Sequence, residues 1–474
     1  MPPIIFPTSS YPGARPQESA GRLINAIAEP LGDGAPNKAK IIRAPGVTAS
    51  FATSSETIFR GISRELVGNV YVAYSGKLKR FGSAGGAMTN VGNLAGTGYV
   101  GFARNNKTPT PDFVAVADGD GAFSFTSGTV SSFADADLPQ PNDVCYGLGF
   151  FFFTIGDGRI FATDSEAVTV NALNFTTASG KPDTLLRCVF WGDQLYALGT
   201  NSIEVYGRPI NATAFPLTAI VTIPYGIAGK RCVTGFEDGM DVGICVIAGN
   251  NQVFALNGYT PSRISQPDIE RQLAAVTDKS LIEMSSFVAG GHRCIKITGP
   301  SFTWVYDFVT QTWHERQSYL KLFWRARDAT FAFNRWFCGD SDSGNVGEIL
   351  ETTFTDFGQP MVWQAESAPG QSFPEQIAVV SAYINFVPGT GVATGADPIQ
   401  TNPRVNISWS RDGGTNWGDP VIRRLGRQAE SDVTVTVNRI GQAFRHGVRL
   451  RLAVSDPVYV GLMGGGMTAG LRKA

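Results

Sequence analysis

Histidine is scarce: the chain carries three, His292, His314 and His446, and none stands in a recognisable nucleophile setting. General-base chemistry has few candidates, and the chain is expected not to be an enzyme. Charge is sparse too. Only 17% of residues are charged, and 39 basic against 40 acidic side chains leave a net charge of −1. That excludes bulk attraction to nucleic acid, which needs a clustered basic face. Apolar runs such as FFFF at 150–153 are far shorter than the ~20 residues that cross a bilayer, and the opening MPPIIFPTSSYPGARPQ lacks a charged segment followed by an apolar core. A soluble, unsecreted chain with no membrane span is the expectation. The six cysteines, Cys145, Cys188, Cys232, Cys245, Cys294 and Cys338, form no CxxC and no zinc spacing with histidine, so they are expected to be buried free thiols in a reducing compartment. The sequons at Asn174, Asn211 and Asn406 carry no weight without a secretory route. No cofactor is expected.

What the chain does have is glycine, 55 residues of it, with abundant Thr, Val and Phe, which describes many short strands joined by tight turns. From about residue 69 to 351 one pattern recurs: an apolar strand, a turn of Gly, Asp, Asn or Pro, and a second strand. Its instances are NVYVAYSGKLKRF, DFVAVADGDGAFSF, GFFFFTIGDGRIFATD, CVFWGDQLYALGTNSIEVYG, ICVIAGNNQVFALNG, RCIKITGPSFTWVYD and FAFNRWFCGD. With Gly76, Gly121, Gly158, Asp193, Asn251, Ser301 and Asn334 as turn markers, the intervals are 45, 37, 35, 58, 50 and 33 residues. A propeller blade takes ~40 to 50 residues, and blades stack because one alone cannot bury both its faces.

The predicted fold is therefore all-β: a β-propeller of about seven blades, with six the alternative, over 46–351, followed by an antiparallel β-sandwich-like domain over 352–474. The second domain rests on alternation in VNISWS, VTVTV and VRLRLAV. Residues 1–45, rich in Pro, Gly and Ala, are expected as an arm or closing segment. One helical insertion is predicted at about 266–286, with Pro267 and Asp268 as its start signal.

Several motifs suggest chemistry. Gly339-Asp340-Ser341-Asp342-Ser343-Gly344 is not a G-x-S-x-G elbow, because Ser343 stands where the last glycine belongs. Asp340, Asp342, Gly344, Val346 and Glu351 have calcium-loop spacing, with Asp340, Asp342 and Glu351 as the weak metal candidates; Asn345 occupies the position of the turn glycine, and a plain hairpin turn is the simpler reading. Asp118–Gly121 and Gly156–Gly158 read as turns. Ser410, Asp412, Gly414 and Trp417 match the Asp-box pattern S-x-D-x-G-x-x-W, in which Asp and Ser brace a hairpin over the Trp. Such boxes occur in sialidases away from the catalytic centre, so this one supports a hairpin only. Arg423, Arg424 and Arg427, followed by Arg439, Arg445, Arg449 and Arg451, are the one concentration of charge. On alternating strands they could line one face, as a channel or interface surface.

The order of segments resembles the tail hub, or packaged DNA stabilization, proteins of short-tailed phages related to P22. The stretches that carry the likeness are GTNSIEVYG at 199–207, YGIAGKRC at 225–232, FTWVYD at 302–307, and Cys338-Gly339-Asp340 followed by Gly347-Glu348-Ile349. Near the start Arg22-Leu23-Ile24-Asn25 and Ala44-Pro45-Gly46-Val47 fit, and near the end Arg424, Gly426 and Arg427 precede GVRLRLAVSDPVYVG. The resemblance implies a virion protein of the tail, assembled in the bacterial host cytoplasm as a homohexameric ring below the portal and its adaptor. It would extend the DNA channel, help retain packaged DNA, and serve as a conduit when the genome is ejected. Implied partners are the adaptor protein, a tail needle or plug, tailspikes or fibres, and double-stranded DNA passing without sequence-specific binding. The rival reading is a carbohydrate-binding or carbohydrate-active propeller, which would need a central pocket with convergent carboxylates and arginines.

Overall fold

A computed structural model describes residues 2–472 apart from 36, 67, 127, 134 and 210–214. Asn211 lies outside the described residues. The chain divides into two compact units, one of Ser50–Val288 with Arg325–Glu348, the other of Met1–Ala49, Ala289–Trp324 and Ile349–Ala474.

The first unit is a succession of antiparallel meanders. Five sheets of four strands follow one another; their first strands are Phe59–Arg64, Val100–Arg104, Pro141–Gly147, Leu185–Trp191 and Val233–Thr234. A further sheet contains Ala326–Ala332, Arg335–Asp340 and the start of Asn345–Leu350, and is completed by Ala52–Thr53, where Val346 pairs with Ala52. Antiparallel pairing from both ends of the unit thus closes it. The closing strand at 52–53 lies outside the segment 1–45 expected to supply it.

Alternation explains why these sheets stack. In Val70–Tyr74, Val70 and Val72 join one apolar cluster with Phe337 and Val346, whereas Tyr71 and Ala73 join another with Phe113 and Phe125. In Phe150–Ile155, Phe151 and Phe153 pack toward Val114 and Val116, and Phe152 packs the other way toward Cys188 and Leu195. Successive side chains of a strand point to opposite faces, so a strand between two neighbouring sheets must be apolar on both. Phe151, Phe152 and Phe153 are each fully buried, contributing roughly 1.5–3 kcal/mol apiece.

Gly121 opens the strand Gly121–Phe125, and the other six turn markers fall in turns or bends, but not always in the same turn of the repeat. Gly158 follows the second strand of its sheet, while Asp193 follows the first strand of the next, between Leu185–Trp191 and Gln194–Gly199. That displacement accounts for the uneven intervals of 35 and 58 on either side. Gly192 and Asp193 both have φ of 60°, as a two-residue hairpin turn requires.

The insertion is shorter than its sequence pattern. The helix is Pro267–Ala275, with Ile269 and Leu273 buried, and it stops before β-branched Val276 and Thr277. Asp278 then accepts the Ser280 amide to start a single 3-10 turn at Lys279–Leu281, and Glu283 already belongs to a strand.

The second unit is a sandwich. One sheet orders Ala26–Pro30, Ala39–Arg43, Gly461–Arg472, Gln376–Phe386 and Val435–Gln442; the other includes Thr312–Glu315, Arg22–Ile24, Trp363–Glu366, Arg449–Val454, Arg404–Ser410 and Val421–Arg424. One apolar cluster draws on both, with Ile41, Val379 and Leu462 from the first and Leu23, Trp363, Val405 and Leu452 from the second. Residues from 1–45 are therefore strands of this unit. Across the second sheet runs a ladder of opposite charges. Arg22 donates to Glu315 at 2.7 and 2.6 Å, and Arg451 and Arg449 donate to Glu366 at 2.8 and 3.3 Å. Arg22 stands opposite Glu366, and Glu366 opposite Arg451, in the strand register.

All six cysteines are buried free thiols. No helix among the described residues is long and apolar enough to cross a membrane.

Candidate functional site

The first strands of the meanders in the propeller unit surround a cavity of about 490 Å3. Phe59–Arg64, Val100–Arg104, Pro141–Gly147, Leu185–Trp191 and Ala326–Ala332 each line it with a charged side chain, and the segment after Val233–Thr234 adds Glu237 and Asp238. Arg64, Arg104, Asp143, Arg187, Glu237, Asp238 and Asp328 all face it, and their pairing is nearly complete. Arg64 donates to Asp238 at 2.7 and 3.0 Å, with Arg104 3.7 Å from the same carboxylate. Arg187 lies 3.2 Å from Asp143 and donates to the Tyr99 hydroxyl at 3.0 Å. Its guanidinium sits 5.4 Å from the Tyr99 ring centroid, and Arg231 approaches the same ring at 5.1 Å. Glu237 accepts from the Thr234 hydroxyl, the Gly235 amide and the Ser286 hydroxyl. Glu283 pairs with Arg231 and with Arg327.

Asp193, also in the lining, and Asp328 are the exceptions: neither makes an ion pair among the described residues, and the Asp328 carboxylate accepts only the adjacent Ala329 amide, at 3.1 Å. Burial, reinforced by the negative charge of Glu283 and only partly offset by Arg231, pushes its carboxyl up to about 6. Burial likewise raises Asp143 above the usual carboxylate range against the pull of Arg187. Among the described residues each arginine that lines the cavity has an acidic partner.

Sequence reasoning missed this convergence. Its signal was present: RGISR, VGFAR, PNDVCY, LLRCVFW, GFEDG and ARDATF each place a charged residue in or beside the first strand of a repeat.

The residues that the sequence singled out serve local structure. Asp340 is fully buried and binds Arg325, whose Nε donates to it at 2.9 Å, while the Asp342 amide donates at 3.1 Å. Val346 is buried within the strand Asn345–Leu350, which separates Glu351 from Asp340 by six extended residues, about 20 Å. No calcium loop forms. Among the described residues no group of three or more His, Cys, Asp and Glu side chains is arranged to hold a metal ion.

The Asp-box hairpin has the bracing its residues imply. Ser410 donates to Asp412 at 2.7 Å and accepts the Gly414 amide at 2.8 Å. Asp412 accepts the amides of Thr415 and Asn416 at 3.0 and 2.9 Å, and the Trp417 indole donates to the Gly414 carbonyl at 3.0 Å. Desolvation tends to raise the Asp412 carboxyl, but the Asn416 amide and the Ser410 hydroxyl outweigh it and hold it at about 2. Arg451 stacks on Trp417, 3.9 Å from the ring centroid.

The arginines do not share a face. Arg423 donates to the Thr436 carbonyl at 2.8 Å, and Arg424, 53% exposed, pairs with Glu430 at 3.0 Å. Arg427 and Arg439 are exposed, and Arg439 has a φ of 60°. Arg449 corrects the expectation of a channel or interface residue: it is 2% exposed, donating to the carbonyls of Ser367 and Pro16, to Ser19 and to Glu366. Leu450 and Leu452 of the same strand join the sandwich core, so Arg449 points to the opposite face of the sheet, where Pro16, Ser19 and Glu366 cover it and meet its charge.

A search of curated proteins gave no significant match. Over residues 23–354, more than two thirds of its length, the sequence matches the family described as Bacteriophage P22 Gp10, beta-propeller. The matched stretch takes in the meanders, the closing sheet at 326–350 and the cavity between them. On that match and this all-β architecture, the chain belongs to the bacteriophage P22 Gp10 β-propeller family.

Proposed function

We propose that this structural protein of the phage tail is a tail hub or nozzle subunit, a homohexameric ring below the portal and adaptor that extends the DNA channel. In this reading it helps retain packaged DNA and later conducts it during ejection. The observation that carries the reading is the family match over residues 23–354. Charge supports it, because a conduit must not grip DNA, and the chain has a net charge of −1. In this reading the propeller has about seven blades, with six the alternative, built from 46–351, with a C-terminal β-domain from 352. Arg423, Arg424, Arg427 and Arg439 are the channel or subunit-facing candidates. The adaptor, a needle or plug and tailspikes or fibres are its partners, met as the virion assembles in the host cytoplasm.

Ring closure by repeated heterologous contacts turns one subunit into a tube without new chemistry. The rival, a carbohydrate-active propeller, asks for convergent polar groups free to bind sugar, and the cavity's acids other than Asp193 and Asp328 are already engaged. Cryo-electron microscopy of virions tests the proposal. A six-fold ring beneath the portal that fits propeller and sandwich is expected; absence of the chain from the particle, or another stoichiometry, overturns the corresponding part.

A further inference from the structure

The Asp-box hairpin forms one wall of a cleft of about 560 Å3 in the sandwich unit, within the range of small-ligand sites. Its residues lie beyond 354, outside the family match. Three aromatic rings line it: Trp409, Trp417 and Phe444. Phe444 is 61% exposed, an unfavourable position for a bare ring. The walls are fixed by backbone bonds: the Gly418 amide donates to the Trp409 carbonyl at 3.0 Å, and the Phe444 amide to the Arg411 carbonyl at 2.7 Å. The Asp412 and Ser410 bonds already described hold Trp417 in place.

Between the rings stand Arg411, Arg439 and Asp419, whose side chains make no hydrogen bond or ion pair among the described residues. Arg439 is held at a φ of 60°, where a branched or bulky side chain is unfavourable and where strain collects at binding sites. This contrasts with the propeller cavity, whose arginines are paired.

We propose that this cleft binds a saccharide bearing an acidic group. A sugar ring presents an apolar C–H face that packs on aromatic side chains, and hydroxyls at its edge that need polar partners. Arg411 and Arg439 supply donors for a carboxylate and ring oxygens, and Asp419 accepts from hydroxyls. An apolar protein surface would bury both guanidinium groups and the Asp419 carboxylate without partners. For a phage tail protein the accessible ligand of this chemistry is polysaccharide on the bacterial surface.

The test uses the purified full chain on immobilised bacterial surface polysaccharides, acidic and neutral, and does not depend on ring assembly. Retention on at least one acidic polysaccharide is expected, weakened at least tenfold by Phe444→Ala and by Arg439→Gly. Glycine suits the φ at 439, and Phe444 is exposed, so neither change should disturb folding. Val380→Ala, another exposed position outside the cleft, should leave retention unchanged. No retention on any polysaccharide, retention on neutral ones alone, or retention that survives both cleft variants would overturn the assignment.

Discussion

His314 lies in the strand Thr312–Glu315, 2% exposed, and neither ring nitrogen has a hydrogen-bond partner. Burial, with Arg316 adding to it and Asp307 opposing, lowers its pKa to about 3. The unfolded chain takes up a proton on this ring near pH ~6.5, whereas the folded chain refuses it until far lower. Between those limits the unfolded state binds more protons, so the ring's contribution to stability falls as pH falls, by ~1.4 kcal/mol per unit. From about pH 8 to about pH 5 the loss is roughly 2 kcal/mol, and it is nearly independent of the folded value because that value lies well below 5. His292 runs the other way. Its bond to Asp307 at 2.6 Å raises its pKa, so its contribution is complete below ~6.5 and fades as pH rises through the folded value. Wild type alone would show only the difference between the two, and His314→Leu separates them. It removes an unpaired polar ring, keeps an apolar side chain, and should be within about 1 kcal/mol of wild type at pH ~8. Urea unfolding followed by tryptophan fluorescence at both pH values gives the answer. The variant should gain roughly 2 kcal/mol on wild type between pH ~8 and ~5; an equal gap at both would refute the argument that the buried ring titrates abnormally.

Three other outcomes follow from the same reasoning. Arg60 is 1% exposed and donates to four carbonyls, those of Gly98, Ser75, Leu94 and Ala95, at 2.6 to 2.8 Å; Arg60→Met should destabilise the propeller unit by about 3–5 kcal/mol in chemical denaturation. In the cavity, Arg187→Met alone leaves buried Asp143 without its ion pair and should cost about 3–5 kcal/mol, while the double variant with Asp143→Asn should cost less than the sum of the two; additive losses in a double-mutant cycle would show that the pair is not coupled. Asp412→Ala removes the acceptor for the amides of Thr415 and Asn416 and should cost about 1 kcal/mol, with faster amide exchange confined to 411–418; global loosening would mean that the hairpin supports more than itself.

The all-β class, the repeated hairpins and their turns were legible because side-chain alternation and positive-φ turns are local properties. Gly192-Asp193 at φ of 60° and the two-faced run at 150–153 needed no partner to be recognised. The Asp-box bracing, made of bonds within a few residues, was legible for the same reason. What could not be read depends on pairing across long separations. The sandwich takes strands from residues 22–43 as well as from beyond 363, since Ile41 pairs with Leu462; nothing in either segment names its neighbour. The helix stopped at Ala275, before β-branched Val276 and Thr277, and the rest of the expected insertion became a 3-10 turn and the start of the strand Glu283–Ala289. Arg449 looked like one more surface arginine until Pro16 and Ser19, from the other end of the chain, covered it, and the cavity charges, scattered from Arg64 to Asp328 along the chain, became one network only when strands of successive sheets met around a common space. Local sequence determined which segments were strands and where they turned; burial and charge pairing, which depend on distances set by the whole fold, were decided by the tertiary structure alone.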